Sequence, residues 1–379
     1  METASTALMG SSSSIVGMAV NCASETIRNL RKSESAEMKL RKSYKYLSRF
    51  VRRQPSMVIC SIKLTSNCTQ NCLQCSIPSH ADGQFLKLHD FETIIRKLKE
   101  YGTNKITLTG GEPAIHPQLE EIYRLLDQYG FHGSNLLTNL YYPPVLQDKV
   151  IDLSFEHNVQ INTSYDAVDE TADLIRGAKD VAPTVERGMH RITAIKRRIG
   201  RMWKPTATVV ISELNIRQIP LIIQRIQELG WWMNIDVYRW TSEFHQEDER
   251  LKIRDLELLD SMLHKVRKAP NLLTPVWIYD GVIDYLKGKR VKICPYLQSP
   301  TFGSKFFISD KGDLQVCMGG SVGNLLHQTP AEIFASVAWK EKRGEFRACQ
   351  GCWNTCYTLD SSVFQYLHIP TLKQLIRHI

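Results

Sequence analysis

The sequence predicts an α/β fold built on a parallel sheet and followed by a small cysteine-rich segment. Between residues 58 and 238, short apolar strands alternate with stretches whose apolar residues recur at helical spacing. This alternation is typical of βαβ units and a parallel sheet. Eight of the ten cysteines fall into two groups, one directly after the first predicted strand and one near the end of the chain.

The predicted elements follow one another without long gaps. The first strand, 58–65, leads into the run Cys68-Thr-Gln-Asn-Cys72-Leu-Gln-Cys75. The later elements are helix 91–101, strand 105–109, helix 119–129, strand 134–138, helix 144–152, strand 160–164, strand 206–212, helix 219–229 and strand 233–238. A hairpin, 305–309 and 314–317, comes next, because its turn Asp310-Lys311-Gly312-Asp313 contains the glycine that such a turn requires.

Length and composition are those of an ordinary globular protein. The chain has 379 residues, of which 43% are hydrophobic and 23% charged, and no apolar run approaches the roughly 20 residues that span a bilayer. Glu2 precedes the apolar stretch 15–20 and no basic cluster does, so no secretory signal is predicted. We therefore predict a cytoplasmic protein whose cysteines bind metal and do not form disulfides.

The N-terminal region carries most of the positive charge. Residues 1–53 contain ten Lys or Arg and four Glu, out of a net charge of +9 for the whole chain. A serine-rich stretch at 5–14 is predicted to be disordered. The stretch 38–53 has the pattern of a basic amphipathic helix, which is suited either to peripheral contact with an anionic membrane or to covering one end of the fold with its charges in solvent.

The triplet Cys68, Cys72 and Cys75 indicates an iron-sulfur site. Three thiolates can hold three irons of a [4Fe-4S] cube, which leaves the fourth iron open for a ligand. A zinc knuckle or three unrelated core thiols are the structural alternatives. About 35 residues later, Gly110-Gly111-Glu112-Pro113 follows the second predicted strand.

The CxxxCxxC spacing followed by GGEP resembles the radical S-adenosylmethionine (radical SAM) enzymes. The resemblance implies a partial (β/α)6 TIM-like barrel. It further implies that the open iron of the cluster binds S-adenosylmethionine. It also implies reductive cleavage of that cofactor to a 5′-deoxyadenosyl radical, with an electron from a flavodoxin- or ferredoxin-type donor. One position departs from the pattern, since many relatives have an aromatic residue where this chain has Gln74.

The resemblance also implies a set of cofactor contacts near the ends of the strands. For each of them, a turn, a helix cap or core packing is the alternative role. The predicted contacts are Gly110, Gly111, Glu112, Ser164, Asp166, Asn215 and Tyr238.

A second cysteine group lies between residues 294 and 356. It resembles the SPASM and twitch extensions of radical SAM enzymes, and in the twitch pattern four of its members would hold one auxiliary [4Fe-4S] cluster. A four-cysteine zinc site is the alternative, because CxxC spacing suits both metals. The predicted ligands are Cys294, Cys317, Cys349 and Cys352, with Cys356 as a fifth thiol that could replace one of them.

The predicted domains are a tail and basic helix at 1–54, the barrel at 55–286, the auxiliary-cluster domain at 287–358 and a tail at 359–379. The predicted function is a radical SAM oxidoreductase acting on a small polar, sugar- or aminocyclitol-like substrate. A peptide maturase or a membrane-lipid-modifying enzyme is the alternative within the same family. A zinc-stabilised RNA-binding protein is the alternative of another class, although no nucleic-acid partner is expected.

Overall fold

The structure is a computed structural model that describes residues 55, 57–199, 203–239, 246–289, 305–317 and 320–353. The predicted tail and basic helix within 1–53 and the predicted tail at 359–379 lie outside these residues, as do Cys294 and Cys356. No helix within the described ranges is long and apolar enough to cross a membrane.

One nine-stranded sheet organises the described residues, in the order β6-β5-β4-β3-β2-β1-β7-β8-β9. Strands β1 to β6 are parallel and lie in sequence order, which is the arrangement of a (β/α) barrel segment. The strands are β1 (Ile59–Lys63), β2 (Lys105–Thr109), β3 (Asn135–Thr138), β4 (Gln160–Ser164), β5 (Thr206–Ile211), β6 (Trp232–Val237), β7 (Lys305–Ile308), β8 (Asp313–Gln315) and β9 (Ser321–Asn324).

Helices connect the parallel strands and follow the hairpin. They are α1 (Leu88–Tyr101), α2 (Leu119–Gln128), α3 (Pro144–Glu156), α4 (Thr171–Arg176), α5 (Val181–Ile199), α6 (Ile219–Glu228), α7 (Leu256–Lys268), α8 (Val282–Leu286), α9 (Pro330–Ala335) and α10 (Val337–Ala348). The predicted α/β alternation is confirmed. Helices α4, α5, α7, α8, α9 and α10 were not predicted. Helix α5 ends in the basic run Lys196-Arg197-Arg198, where the helix dipole favours cations.

The two faces of the parallel sheet differ in polarity. Alternate residues of each strand belong to the apolar core shared with the helices, as Ile62, Leu108 and Val209 do. The residues between them, such as Thr107, Asn162 and Thr208, line a cavity on the opposite face. Because side chains alternate along a strand, this pattern assigns one face to packing and leaves the other for binding.

The C-terminal hairpin continues the barrel sheet. Strand β7 pairs with β1 in parallel, with Ile59 opposite Lys305, and β8 and β9 extend the edge by antiparallel pairing. At the turn, the Asp310 carboxylate forms an ion pair with Lys63 at 3.2 Å. It also accepts a hydrogen bond from the Ser66 hydroxyl at 3.4 Å. The sheet thus joins the predicted barrel to the first part of the predicted C-terminal domain.

Lys97 on α1 ties this helix to the segment after β9. Its Nζ donates hydrogen bonds to the carbonyl oxygens of Leu325, Leu326 and Gln328, at 2.6, 3.0 and 3.2 Å. Partial burial lowers the pKa of Lys97. The ammonium group therefore provides a hydrogen-bond donor for three carbonyl oxygens in the segment that follows β9.

We predict that Lys97→Met lowers the free energy of unfolding by about 1–3 kcal/mol, because three carbonyl groups lose a charged donor. Urea denaturation followed by circular dichroism measures the change. Lys87→Met, at an exposed position just before α1, is the matched control and should have little effect. Equal stability of the Lys97 and Lys87 variants would show that the ammonium contributes nothing.

Candidate active site

The loop that carries Cys68, Cys72 and Cys75 is clamped on two sides by backbone hydrogen bonds. After β2, the amides of Gly111 and Glu112 donate to the carbonyls of Thr65 and Asn67, at 2.9 and 2.7 Å. From the other side, Asn71 and Leu73 donate their amides to the carbonyls of Arg176 and Ile175 at the end of α4, at 3.1 and 2.9 Å. The cysteine loop is thereby fixed between two elements that are distant in sequence.

Glycines allow this close approach. A Cβ on Gly110 or Gly111 would overlap with the carbonyl oxygens of Thr65 or Asn67. Gly177, which follows α4 at a φ of +61°, faces the Asn71 carbonyl in the same way. The glycine pair was predicted to bring backbone close to a ligand; here it brings backbone close to the cysteine loop, and both glycines also line the cavity.

One cavity of about 450 Å³ runs along the inner face of the parallel strands, and the three cysteines and the glycine pair line it at the carboxyl ends of those strands. Ser164 of β4, a predicted cofactor contact, lines the same cavity. The triplet, the glycine pair and Ser164 are therefore brought together, as the parallel topology requires for residues at the ends of neighbouring strands.

The cysteine environment fits an iron-sulfur cluster. The backbone amide of Gln70 favours the thiolate form of Cys68, and that of Ile77 favours the thiolate form of Cys75; amides beside sulfur are a feature of cluster sites. Burial raises the pKa of Cys68 to about 12, helped by the charges of Glu112 and the two other cysteines. Burial also raises the pKa of Cys75. Metal binding must therefore displace protons from these thiols.

Within the described ranges, no three Cys, His, Asp or Glu side chains converge on a point where they could share a single metal ion. A cubane cluster binds each cysteine sulfur to a different iron, so its ligands do not need to meet at one point.

Arg176 is a buried cation beside the cysteine triplet. Its guanidinium forms an ion pair with Asp166, lies 3.8 Å from the Cys72 sulfur and lines the cavity. Burial opposes the charge, but Asp166 and Cys72 raise the pKa of Arg176. Asp166 also accepts the Val210 amide at 2.8 Å, so this predicted cofactor contact holds Arg176 in place and does not itself line the cavity.

Glu112, another predicted cofactor contact, is fully buried behind the cavity. Its carboxylate accepts the amides of Ala114 and Asn139, at 3.0 and 2.7 Å, and the Tyr142 hydroxyl. Asn139 in turn donates its side-chain amide to the Cys68 sulfur at 3.8 Å. Glu112 therefore orients the loop after β3, which reaches the cysteine triplet.

Asn215 and Tyr238 lie away from the cavity lining. The Asn215 amide nitrogen donates to the carbonyls of Asp166 and Val210, at 2.8 and 2.9 Å, which stabilises the ends of β4 and β5. The Tyr238 hydroxyl donates to the Gln246 carbonyl at 3.0 Å. Their contacts in this structure are internal, and cofactor contact remains a prediction for both.

Three predicted ligands of the second cysteine group are within the described residues. Cys317 has a φ of +62° at the end of the hairpin, and Cys349 follows α10. The Gly351 amide donates to the Cys349 sulfur at 3.3 Å, in the same two-residue spacing as at Cys68 and Cys75. Cys352 lies near Tyr285, whose pKa it helps to raise together with burial.

The cavity walls are polar and carry cations. Ser164, Thr208 and Asn234 occupy one register row across β4, β5 and β6. At the amino ends of the strands, Lys105 and Lys305 flank Ile59 in another row. All of these residues line the cavity, and no Asp or Glu of the described part of the chain does.

Comparison with known proteins finds similarity to one family over part of the chain. Residues 62–226 match the model of the Radical SAM superfamily. Two curated proteins named "Probable GTP 3′,8-cyclase" are similar: that of Thermoplasma volcanium is 24% identical over 70% of this chain and 81% of its own length. That of Methanothermobacter thermautotrophicus is 28% identical over 68% of this chain and 83% of its own length.

Solved structures share the fold. SuiB of Streptococcus suis bound to S-adenosylmethionine superposes with a TM-score of 0.58 at 15% identity, covering 82% of this chain and 74% of that one. The anSMEcpe structure with bound AdoMet gives a TM-score of 0.55 at 16% identity, covering 85% of this chain and 95% of that one.

The sheet and the three-cysteine cavity at its carboxyl edge define an enzyme that holds a cluster and S-adenosylmethionine. Over residues 62–226 the chain is similar to the radical SAM superfamily.

We predict that Gly177→Ala displaces the cysteine loop and lowers the iron retained per chain after anaerobic reconstitution. Gly133→Ala is the matched control, because Gly133 has a similar φ of +72° but open space where a Cβ would lie. Both variants carry backbone strain of about 1 kcal/mol, and only the first meets the Asn71 carbonyl. Equal iron content in the two variants would show that the close contact between Gly177 and the Asn71 carbonyl does not fix the cysteine loop.

Proposed function

We propose that this enzyme uses the Cys68-Cys72-Cys75 cluster to cleave S-adenosylmethionine and abstract hydrogen from a polar, anionic small molecule. The observation that carries the proposal is the single cavity lined by the three cysteines, the glycine pair and Arg176. When bound, the cluster and S-adenosylmethionine supply a 5′-deoxyadenosyl radical. A flavodoxin- or ferredoxin-type protein is the proposed electron donor.

The residues of the chain bind and orient the reactants. Arg176 and Ser164, both on the cavity wall, offer a cation and a hydroxyl that suit the carboxylate of the methionine portion. Asp166 fixes the guanidinium through its ion pair. Gln74 lines the cavity where many relatives have an aromatic ring, so the ring stacking of those relatives is not available here.

The substrate proposal follows from the charge of the cavity. Lys105 lies roughly 13 Å from the carboxyl end of β2, at about 3.3 Å per residue. A substrate with its reactive carbon beside the bound S-adenosylmethionine and an anionic group near Lys105 and Lys305 would span the remaining part of this length. The name "GTP 3′,8-cyclase" of the similar proteins makes a nucleotide the first class to test, whereas these names give no support to the predicted sugar- or aminocyclitol-like substrate.

A peptide is the second candidate substrate. The superposed structures include SuiB bound to the precursor peptide SuiA and anSMEcpe bound to a Cp18Cys peptide. The long open cavity of this chain is compatible with an extended segment. The hypothesis of a lipid substrate was based on the predicted basic helix at 38–53, which lies outside the described residues.

An auxiliary [4Fe-4S] cluster in the second cysteine group is also part of the proposal. The hydrogen bond from Gly351 to the Cys349 sulfur and the CxxC spacing support a metal-bound thiolate. The cluster would accept an electron from the substrate or orient it. A zinc site remains the alternative for these cysteines.

We predict that replacing Cys68, Cys72 and Cys75 together by Ala abolishes cleavage of S-adenosylmethionine. After anaerobic reconstitution, iron should fall from about eight per chain to about four, because two cubanes become one. Changing Cys349 and Cys352 to Ala should instead spare some cleavage. If the unmodified protein held about four irons and the triple variant held none, with zinc retained in both, the auxiliary cluster would be rejected. The proposed cluster at Cys68, Cys72 and Cys75 would still stand.

We predict that Lys105→Met weakens binding of GTP roughly ten- to hundred-fold, since a charge-assisted contact is lost. Isothermal titration of the reconstituted protein in the presence of S-adenosylmethionine measures the affinity, with the exposed Lys87→Met as control. Absence of GTP binding by the unmodified protein would reject the nucleotide class. Equal binding by both variants would remove Lys105 from the substrate site.

A further inference from the structure

Gln70 has a buried donor that the structure leaves without a partner. The residue is 5% exposed, lies between Cys68 and Cys72 in the loop and lines the cavity. Its Nε2 is buried and makes no hydrogen bond within the described residues. An unpaired buried amide donor costs about 1–3 kcal/mol, and a partner in the loaded protein would offset this cost.

The oxygen of the same amide shows where that partner lies. In the structure the Cys72 thiol donates to Gln70 Oε1 over 3.9 Å. A metal-bound Cys72 has lost its proton and can only accept. The amide oxygen would then face a sulfur lone pair, and a half-turn about the terminal side-chain bond exchanges oxygen for nitrogen at the same place.

We propose that Gln70 donates its side-chain N–H to the Cys72 sulfur of the loaded cluster and raises the reduction potential of that cluster. A hydrogen bond to sulfur stabilises the more negative, reduced state, and such bonds are among the factors that set cluster potentials. The inference rests on the proposed cluster at Cys68, Cys72 and Cys75. Gln70 acts through Cys72 and is a positioning residue.

Two other donors frame this position. Arg176 Nη1 lies 3.8 Å from the Cys72 sulfur, and Asn139 Nδ2 lies 3.8 Å from the Cys68 sulfur. Both already have other partners, Asp166 and Thr69. Gln70 differs because its buried donor has no partner within the described residues while its amide already faces the Cys72 sulfur.

The test is an electron paramagnetic resonance redox titration of the full-length reconstituted protein, following the signal that S-adenosylmethionine perturbs. Gln70→Met removes the donor with little change of size. At a fixed applied potential we expect its reduced-to-oxidised ratio to fall about five-fold, the equivalent of one neutral hydrogen bond. The metal-free variant should be as stable as the unmodified protein or more so, because an unpaired buried donor has been removed.

Gln74→Met is the matched control, since Gln74 lines the same cavity but its buried atom without a partner is the oxygen. It should leave the potential unchanged. An unchanged potential in Gln70→Met, or an equal shift in both variants, overturns the inference. Failure of Gln70→Met and Gln70→Glu to take up iron, with normal uptake by Gln74→Met, overturns it as well and assigns Gln70 to assembly. Absence of a cluster in the unmodified protein would instead refute the proposed function.

Discussion

The site depends on the backbone clamp around the cysteine loop. A loop with three metal ligands must keep its thiols in place before the metal arrives, and it has little apolar surface with which to do so. Here Gly111 and Glu112 hold its first part and the carbonyls of Ile175 and Arg176 hold its middle. The close approach on both sides requires glycine, at Gly111 and at Gly177. The position of the cysteines is thus determined by residues that never touch the metal.

Charge is distributed around this clamp in two layers. Glu112 is buried behind the glycine pair, with its oxygens bound by amides and a hydroxyl. Arg176 is on the cavity side, balanced by Asp166. The acidic group therefore serves the fold, while the cation faces the reactants. This separation explains why the described cavity lining contains no carboxylate although Glu112 and Asp166 lie close to it.

Much of the fold and half of the site could be predicted from the sequence. Strands β2 and β4 have the predicted bounds, because each is a short run ended by a turn signal. The cysteine spacing and the glycine pair are local patterns. Arg176, Asn139 and Gly177 have no such pattern, since each matters only through contact with a loop about 70 to 110 residues away. For Glu112, the family resemblance implied a cofactor contact, which stays a prediction; in the structure its side chain is buried and does not line the cavity.

The parallel pairing of β7 with β1 has a consequence for the order of synthesis. The paired residues Ile59 and Lys305 are about 250 positions apart. A ribosome adding roughly 5–20 residues per second completes β1 and β2 tens of seconds before β7 emerges. During that time the strand that leads into the cysteine loop has an unpaired edge, which invites pairing with another chain. A nascent chain of this enzyme therefore passes through a period in which one strand edge is open to pairing with other chains.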